Sequence, residues 1–115
     1  MIKSKFNSEH YVWGNNCDGY HLLKSDKLSV IFESMPPKTF EKPHFHTHSQ
    51  QVFYILSGVA SFKLAEQEYE LNVGDSIHVP VKLIHSIENR SALTLEFLVI
   101  SEPKSHVDRV EAKDS

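Results

Sequence analysis

The sequence predicts an all-β fold, either a sandwich or a barrel. Short runs rich in β-branched and aromatic residues recur along most of the chain, and Gly, Pro or Asn breaks most of them. No stretch of 12 or more residues combines a sustained helical period of apolar residues with helix caps. Strands joined by turns therefore account for the pattern better than helices do.

The predicted strands differ in how their apolar residues are spaced. In order, they are residues 28–32, 52–56, 61–64, 69–73, 77–79 and 93–100. Residues 52–56 are apolar without interruption, whereas residues 61–64 and 69–73 alternate polar and apolar side chains. The breaks that end these strands include Pro36, Gly58, Gly74, Pro80 and Pro103.

The length of 115 residues predicts one domain with three parts. Residues 28–102 form the predicted barrel. Residues 1–27 form an N-terminal arm whose aromatic side chains we expect to pack on the barrel or on a partner subunit, and this predicts a homodimer. Residues 103–115 are predicted to form a polar, loosely held C-terminal tail.

Composition argues against several classes of protein. The formal net charge is −3 and no Lys/Arg run is present, so we expect no nucleic-acid partner. The longest apolar run has five residues, which predicts no membrane span, and the N-terminus lacks the apolar core of a signal peptide. The single cysteine, Cys17, cannot form an internal disulfide, which fits a cytoplasmic location.

Histidine is the unusual residue type, with eight copies. His44 and His46 are two residues apart in a β-rich segment, so their side chains share one face and can bind one metal ion. His48 shares that face only if the strand stays straight through Thr47. Otherwise we expect His48 at the mouth of the pocket, as an acid–base group or an alternative ligand.

Two spacings make the chain resemble the cupin family. The first cupin motif, G-x5-H-x-H-x(3,4)-E-x6-G, aligns with Lys38, His44, His46, Gln51 and Gly58. The second, G-x5-P-x-G-x2-H-x3-N, aligns with Gly74, Pro80, Lys82, His85 and Asn89. Seven of the ten motif positions match, Gln51 stands where the motif has Glu, and lysines replace two glycines.

The resemblance implies a double-stranded β-helix, the jelly-roll barrel of cupins, and a site made by three histidines and one carboxylate. The implied ligands here are His44, His46, Gln51 and His85. They would hold one divalent transition metal, which could be Zn, Fe, Ni, Mn or Cu. A carboxamide is a weaker donor than a carboxylate, so Gln51 should lower the metal affinity and leave the ion more Lewis acidic.

Three functions fit these observations. The first is a metal-dependent enzyme acting on a small, oxygen-rich organic molecule, as an isomerase, a lyase or a dioxygenase. The second is a non-catalytic module that binds or senses a small ligand. The third, a barrel with a vestigial site, fits less well because three buried histidines without a role would be costly.

Three further residues keep two interpretations each. His78 could line the pocket or face solvent, and Glu96 could be a pocket acid or lie on the barrel exterior. Lys82 stands where the motif has glycine. Either that turn has relaxed to an ordinary φ and the lysine faces solvent, or the ammonium group reaches an anionic ligand.

Overall fold

A computed structural model describes residues 1–105 and 108–112. Twelve β-strands form in this part of the chain. They are β1 (Glu9–Trp13), β2 (Cys17–Lys24), β3 (Ser29–Met35), β4 (Thr39–Phe40), β5 (His44–His46), β6 (Gln50–Ser57), β7 (Ala60–Leu64), β8 (Gln67–Leu71), β9 (Ser76–Val79), β10 (His85–Asn89), β11 (Leu95–Glu102) and β12 (Arg109–Glu111). No helix long and apolar enough to cross a membrane occurs in these residues.

The strands form two antiparallel sheets that face each other. One sheet has the order β1-β2-β3-β11-β6-β9, and the other has the order β12-β5-β10-β7-β8, with β4 also paired to β10. From β3 onward the chain passes repeatedly from one sheet to the other, as in a jelly roll, although β4 and β5, and likewise β7 and β8, follow each other within one sheet. The predicted double-stranded β-helix is confirmed.

The core lies between the sheets because inward and outward side chains alternate along each strand. In β11, for example, Leu95, Phe97 and Val99 are buried while the residues between them are partly exposed. Phe53 packs against Phe62 and Phe97, with ring centroids 5.0 and 5.9 Å away. The ring of His85 packs on this apolar layer, 5.9 Å from Phe53 and 6.1 Å from Phe62.

The N-terminal arm extends the first sheet. Strand β2 pairs with β3 from Asp18 opposite Ser34 to Lys24 opposite Ser29, and β1 pairs with β2. Tyr11 and Trp13 pack against the core of their own chain. Of the two positions predicted for the arm, the structure therefore shows the one on the barrel.

The C-terminal segment differs from the predicted polar tail. Arg109–Glu111 form strand β12, which pairs with β5 so that Arg109 lies opposite His46 and Glu111 opposite His44. A strand of three residues is too short to show an alternating pattern that would predict it. The rest of the predicted tail at residues 106–107 and 113–115 lies outside the described residues.

Both lysines that replace motif glycines keep a left-handed backbone. The φ angle is 63° at Lys38 and 70° at Lys82. An L-residue with a Cβ is disfavoured there by roughly 1–2 kcal/mol. The interpretation that the turn at Lys82 relaxed to an ordinary φ is therefore wrong, although the side chain is exposed, as that interpretation expected.

Candidate metal centre

Three histidines from strands β5 and β10 come together inside the barrel. Alternation along β5 turns His44 and His46 inward, and only 2% and 4% of their surfaces are exposed. Strand β10 runs beside β5 with His85 directly opposite His44. One ring nitrogen from each of the three histidines lies within 4.8 Å of the others, close enough for a single ion.

Each of the three imidazoles is held by a hydrogen bond at its Nδ1 atom. The Nδ1 atoms of His44 and His85 lie 3.0 Å from the backbone carbonyls of Lys42 and Leu83. Nδ1 of His46 lies 2.9 Å from a carboxylate oxygen of Asp108. These partners only accept hydrogen bonds, so each Nδ1 carries the proton and each Nε2 keeps its lone pair.

The unprotonated Nε2 atoms indicate a binding site for a cation. Nε2 of His46 is buried and has no hydrogen-bond partner among the described residues. A buried polar atom without a partner costs about 1–3 kcal/mol, and a metal ion would remove that cost. The three histidines therefore fit a divalent transition metal.

Burial keeps these imidazoles neutral, as metal ligands must be. Desolvation, with a contribution from His85, lowers the pKa of His44 to about 3. Desolvation likewise lowers the pKa of His85 to about 4. It also lowers the pKa of His46, against the opposing effect of Asp108. Protons therefore compete little with a metal ion near neutral pH.

Gln51, the predicted fourth ligand, lies beside the three histidines. Its amide nitrogen donates to the hydroxyls of Ser101 at 2.9 Å and Ser105 at 3.2 Å. This turns the carbonyl oxygen toward Nε2 of His85, 3.1 Å away. Two lone pairs at that distance repel each other unless a cation lies between them. Two ligand atoms that each lie about 2.1 Å from one ion, with an angle of about 90° at the ion, are about 3.0 Å apart. The 3.1 Å between Nε2 of His85 and the Gln51 oxygen therefore suits coordination of one ion by both.

Asp108 is a site residue that the sequence did not reveal. One carboxylate oxygen accepts from the His46 ring, and the other accepts from the backbone N–H groups of His48 and Ser49 at 2.9 and 3.0 Å. Burial alone would raise the pKa of Asp108, but these hydrogen bonds hold it below its ordinary value. A lone Asp in a polar segment has no informative spacing, because only the pairing of β12 with β5 places it here.

His48, the predicted catalytic residue, does not join the cluster. Strand β5 ends at His46, so the alternation does not continue to His48, and its side chain is exposed. Its imidazole is absent from the residues that line the cavity beside the three histidines. The structure therefore brings together the four predicted ligands and leaves His48 outside.

The three other residues with two interpretations, His78, Glu96 and Lys82, also lie away from the cavity. His78 is exposed and its Nε2 is 2.9 Å from the side-chain oxygen of Gln50. Glu96 alternates with the buried Leu95 and Phe97, which directs it to the barrel exterior. Lys82 lines a separate surface groove with Lys63 and Glu66.

The cavity in front of the histidines has a volume of about 340 Å³. Besides His44, His46 and Gln51, it is lined by polar and aromatic side chains of the arm and by polar side chains of β3, of the segment between β4 and β5 and of the C-terminal segment. These are Tyr11, Trp13, His21, Glu33, Glu41, Ser105 and Arg109. The volume suits a small organic molecule.

Two carboxyl groups in this cavity hold protons more tightly than usual. Burial raises the pKa of Glu33 to about 7. Burial, together with the neighbouring Glu33, raises the pKa of Glu41 to about 8. The pKa values of these carboxyl groups are raised, whereas those of the three histidines are lowered. The carboxyl groups therefore favour the folded state at low pH, and the histidines favour it at high pH.

We expect the metal-free protein to be most stable near about pH 6. As pH falls below about 6.5, histidines that stay neutral in the folded state gain protons in the unfolded chain, so stability falls. Above this optimum, Glu33 and Glu41 lose the protons that only the folded state retained, so stability falls as pH rises through about 7 and 8. Urea unfolding in the presence of a chelator from pH 4 to 9 would measure this; a steady rise in stability from pH 6.5 to 8.5 would contradict it.

Comparison with known proteins decides the family. A family model described as "Cupin domain" matches residues 31–101, which is more than half of the chain. The chain belongs to the cupin family. The resemblance carried by the two histidine motifs is thereby confirmed.

Similar proteins include an enzyme and proteins of the same size. An uncharacterized protein of Methanocaldococcus jannaschii is 33% identical over 89 residues, covering 76% of this chain and 71% of that protein. Quercetin 2,3-dioxygenase of Bacillus subtilis is 40% identical over 63 residues, covering 54% of this chain but only 19% of the enzyme. The structure of KdgF from Halomonas sp. superposes with a TM-score of 0.84 at 13% identity, covering 93% of this cupin and 96% of that chain, a likeness of fold.

Proposed function

We propose that this cupin is a metal-dependent enzyme that acts on a small, oxygen-rich organic molecule. His44, His46, His85 and Gln51 would hold one divalent ion of Zn, Fe, Ni, Mn or Cu. The observation that supports this most is the buried Nε2 of His46, which has no partner among the described residues and faces two further imidazoles. When bound, such an ion polarises a carbonyl or hydroxyl group, and Fe, Ni or Cu can also activate dioxygen.

The cavity supports an enzyme rather than a closed structural metal site. Four protein ligands of which one is a neutral amide leave positions for an oxygen-rich ligand at a transition metal that prefers five or six donors. Titratable side chains line the space in front of those positions, including Glu33 and Glu41. Among the relatives, the Bacillus subtilis protein is a dioxygenase by name, which favours oxygen-containing substrates.

Metal analysis and reconstitution test this proposal. Protein purified without a histidine tag should contain close to one equivalent of a transition metal, and chelated protein should regain one equivalent. The reloaded protein should then convert at least one member of a panel of hydroxy-ketones, keto-acids and catechols, measured by NMR and by oxygen uptake. Tight binding of such compounds without any conversion would instead support a ligand-binding module.

Replacing Gln51 with glutamate should tighten metal binding at least about tenfold, because it supplies a charged oxygen donor where a neutral one now lies. The hydroxyls of Ser101 and Ser105 can rotate to donate to the second carboxylate oxygen, so the variant should fold. Chelator competition on apo-protein would measure the change. Gln51→Leu is the matched control, and equal affinities for all three proteins would place Gln51 outside the metal's coordination sphere.

We also propose that the protein is a homodimer. Strand β1 is an edge of its sheet, and its outward side chain Val12 is 62% exposed, with Leu23 of β2 exposed by 42%. Pairing of two β1 edges would cover them. Light scattering at high micromolar concentration should give about 26 kDa, twice the chain mass of 13.2 kDa, and a monomer would contradict it.

A further inference from the structure

One inward position of β3 is occupied by a carboxyl group. Ile31 and Met35, two residues before and after Glu33, are buried in the core with 7% and 0% of their surfaces exposed. Glu33 shares their face, and its side chain lines the cavity with His44 and His46. A carboxyl group at a core position costs free energy that an apolar side chain would not, so it needs a chemical reason.

A tyrosine from the arm holds this carboxyl group. The hydroxyl of Tyr11 donates a hydrogen bond to Oε1 of Glu33 at 3.3 Å. In the described part of the chain this is the one hydrogen bond to the Glu33 carboxyl, so one of its oxygens is left for a ligand in the cavity. Burial raises the pKa of the Tyr11 phenol, which therefore stays a donor.

A glycine makes the contact between Tyr11 and Glu33 possible. Gly19 of β2 is paired with Tyr11 on one side and with Glu33 on the other, so the three residues form one row across three strands. A Cβ at Gly19 would overlap the Tyr11 ring. The ring thus lies across β2 where a side chain is missing, and its hydroxyl reaches Glu33.

The second carboxyl group of the cavity is engaged differently. One oxygen of Glu41 lies 3.7 Å from Nδ1 of His44, and the other lies 3.8 Å from the guanidinium of Arg109. Glu41 therefore lies near a histidine of the candidate centre and near a guanidinium group, although neither contact is a hydrogen bond and its Oε1 has no hydrogen-bond partner among the described residues. Glu33 is the carboxyl group that faces the cavity without such contacts among the described residues.

We propose, as an extension of the proposed function, that Glu33 transfers protons to and from the substrate and that Tyr11 orients it. A C–H or O–H bond of the bound molecule breaks, its proton goes to the Glu33 carboxylate, and the electron pair stays on the molecule. The same carboxyl group then returns the proton to that molecule at the same or a neighbouring atom. No electrons leave the substrate, so the step needs no co-reactant.

The surroundings of Glu33 suit this exchange of protons. Burial raises its pKa to about 7, while Tyr11 and Arg109 oppose the rise. The other titratable groups around the cavity are Glu41, His21, His44 and His46. A carboxyl group that titrates near neutral pH can both accept and donate a proton at that pH.

Deuterium exchange with a defined probe tests the proposal. Apo-protein is loaded with Zn²⁺ and incubated with dihydroxyacetone in D₂O, and ¹H NMR follows the loss of its C–H signal. Glu33→Gln should slow the exchange by about 10²–10⁴-fold. Tyr11→Phe should retain exchange but shift its pH dependence upward, because the tyrosine hydrogen bond lowers the pKa of Glu33.

A second readout does not depend on turnover. In protein labelled with ¹³C at the glutamate carboxyl carbon, the Glu33 resonance is assigned by its loss in Glu33→Gln. Dihydroxyacetone should move this resonance in Zn²⁺-loaded protein and leave that of Glu96, on the barrel exterior, in place. Glu96→Gln is the matched control variant and should exchange like the wild type.

The outcomes separate this proposal from the function on which it rests. Zn²⁺ affinity is measured by calorimetry in each variant, and Glu33→Gln should bind Zn²⁺ as the wild type does. Failure of the wild type to bind any metal would overturn the proposed function and the role of Glu33 with it. Metal binding with no exchange in the wild type, or with exchange in Glu33→Gln within threefold of the wild type, would overturn the role of Glu33 alone.

Discussion

Replacing His46 with alanine is expected to weaken Zn²⁺ binding on the order of 10²–10³-fold. Structural zinc sites with four ligands bind with about 10–16 kcal/mol, or about 2.5–4 kcal/mol for each ligand. His46 contributes a buried Nε2 that has no partner among the described residues. Removing it should therefore cost the full binding free energy of one ligand. Chelator competition with apo-protein at pH 7 would measure the change.

His48→Ala is the matched control for this experiment. The two histidines are two residues apart, but His48 is exposed and contributes only its backbone N–H to the site, through Asp108. Alanine keeps that N–H, so we expect an unchanged Zn²⁺ affinity. Equal losses in both variants would contradict the assignment of His46 as a ligand and of His48 as a bystander.

Replacing Asp108 with alanine is expected to lower Zn²⁺ affinity about 10–100-fold, although Asp108 does not face the ion. Its carboxylate fixes the proton on Nδ1 of His46 and ties the segment after β5 to the strand β12 through the His48 and Ser49 amides. Without it, the imidazole loses its orientation and part of its basicity. Calorimetric titration with Zn²⁺ would measure the loss.

Glu111→Ala serves as the control for Asp108. Glu111 lies on β12, the strand that follows Asp108, and it is opposite His44 but has an exposed side chain. It should leave both metal affinity and the melting temperature nearly unchanged. If Asp108→Ala bound Zn²⁺ as tightly as the wild type, Asp108 would only fasten the C-terminal segment.

Local sequence patterns and the spacing of the cupin motifs were enough to predict the fold and the four residues that the structure brings together. Period-two alternation places His44 and His46 on one face, and the motif spacing adds Gln51 and His85 from other strands. Turn residues also behaved as expected at Gly58, whose φ is 87° and where a Cβ would lie 2.8 Å from the Thr94 carbonyl oxygen. These properties depend on neighbours in sequence or on fixed spacing.

The residues that the sequence did not reveal depend on pairing between distant strands. Asp108 reaches His46 across 62 residues because β12 pairs with β5, and Tyr11 reaches Glu33 across 22 residues because Gly19 lies between them. The sequence also does not decide the position of His48, because the end of a strand three residues long is not visible in its composition.

Anomalous diffraction from crystals of apo-protein soaked in Zn²⁺ tests the central claim most directly. We predict one strong peak inside the barrel, about 2.0–2.4 Å from Nε2 of His44, His46 and His85 and from the carbonyl oxygen of Gln51. Open positions of the ion should face the cavity that Glu33 lines. A peak that involves His48 or His78 instead, or no peak at this centre after soaking at saturating Zn²⁺, would contradict the account.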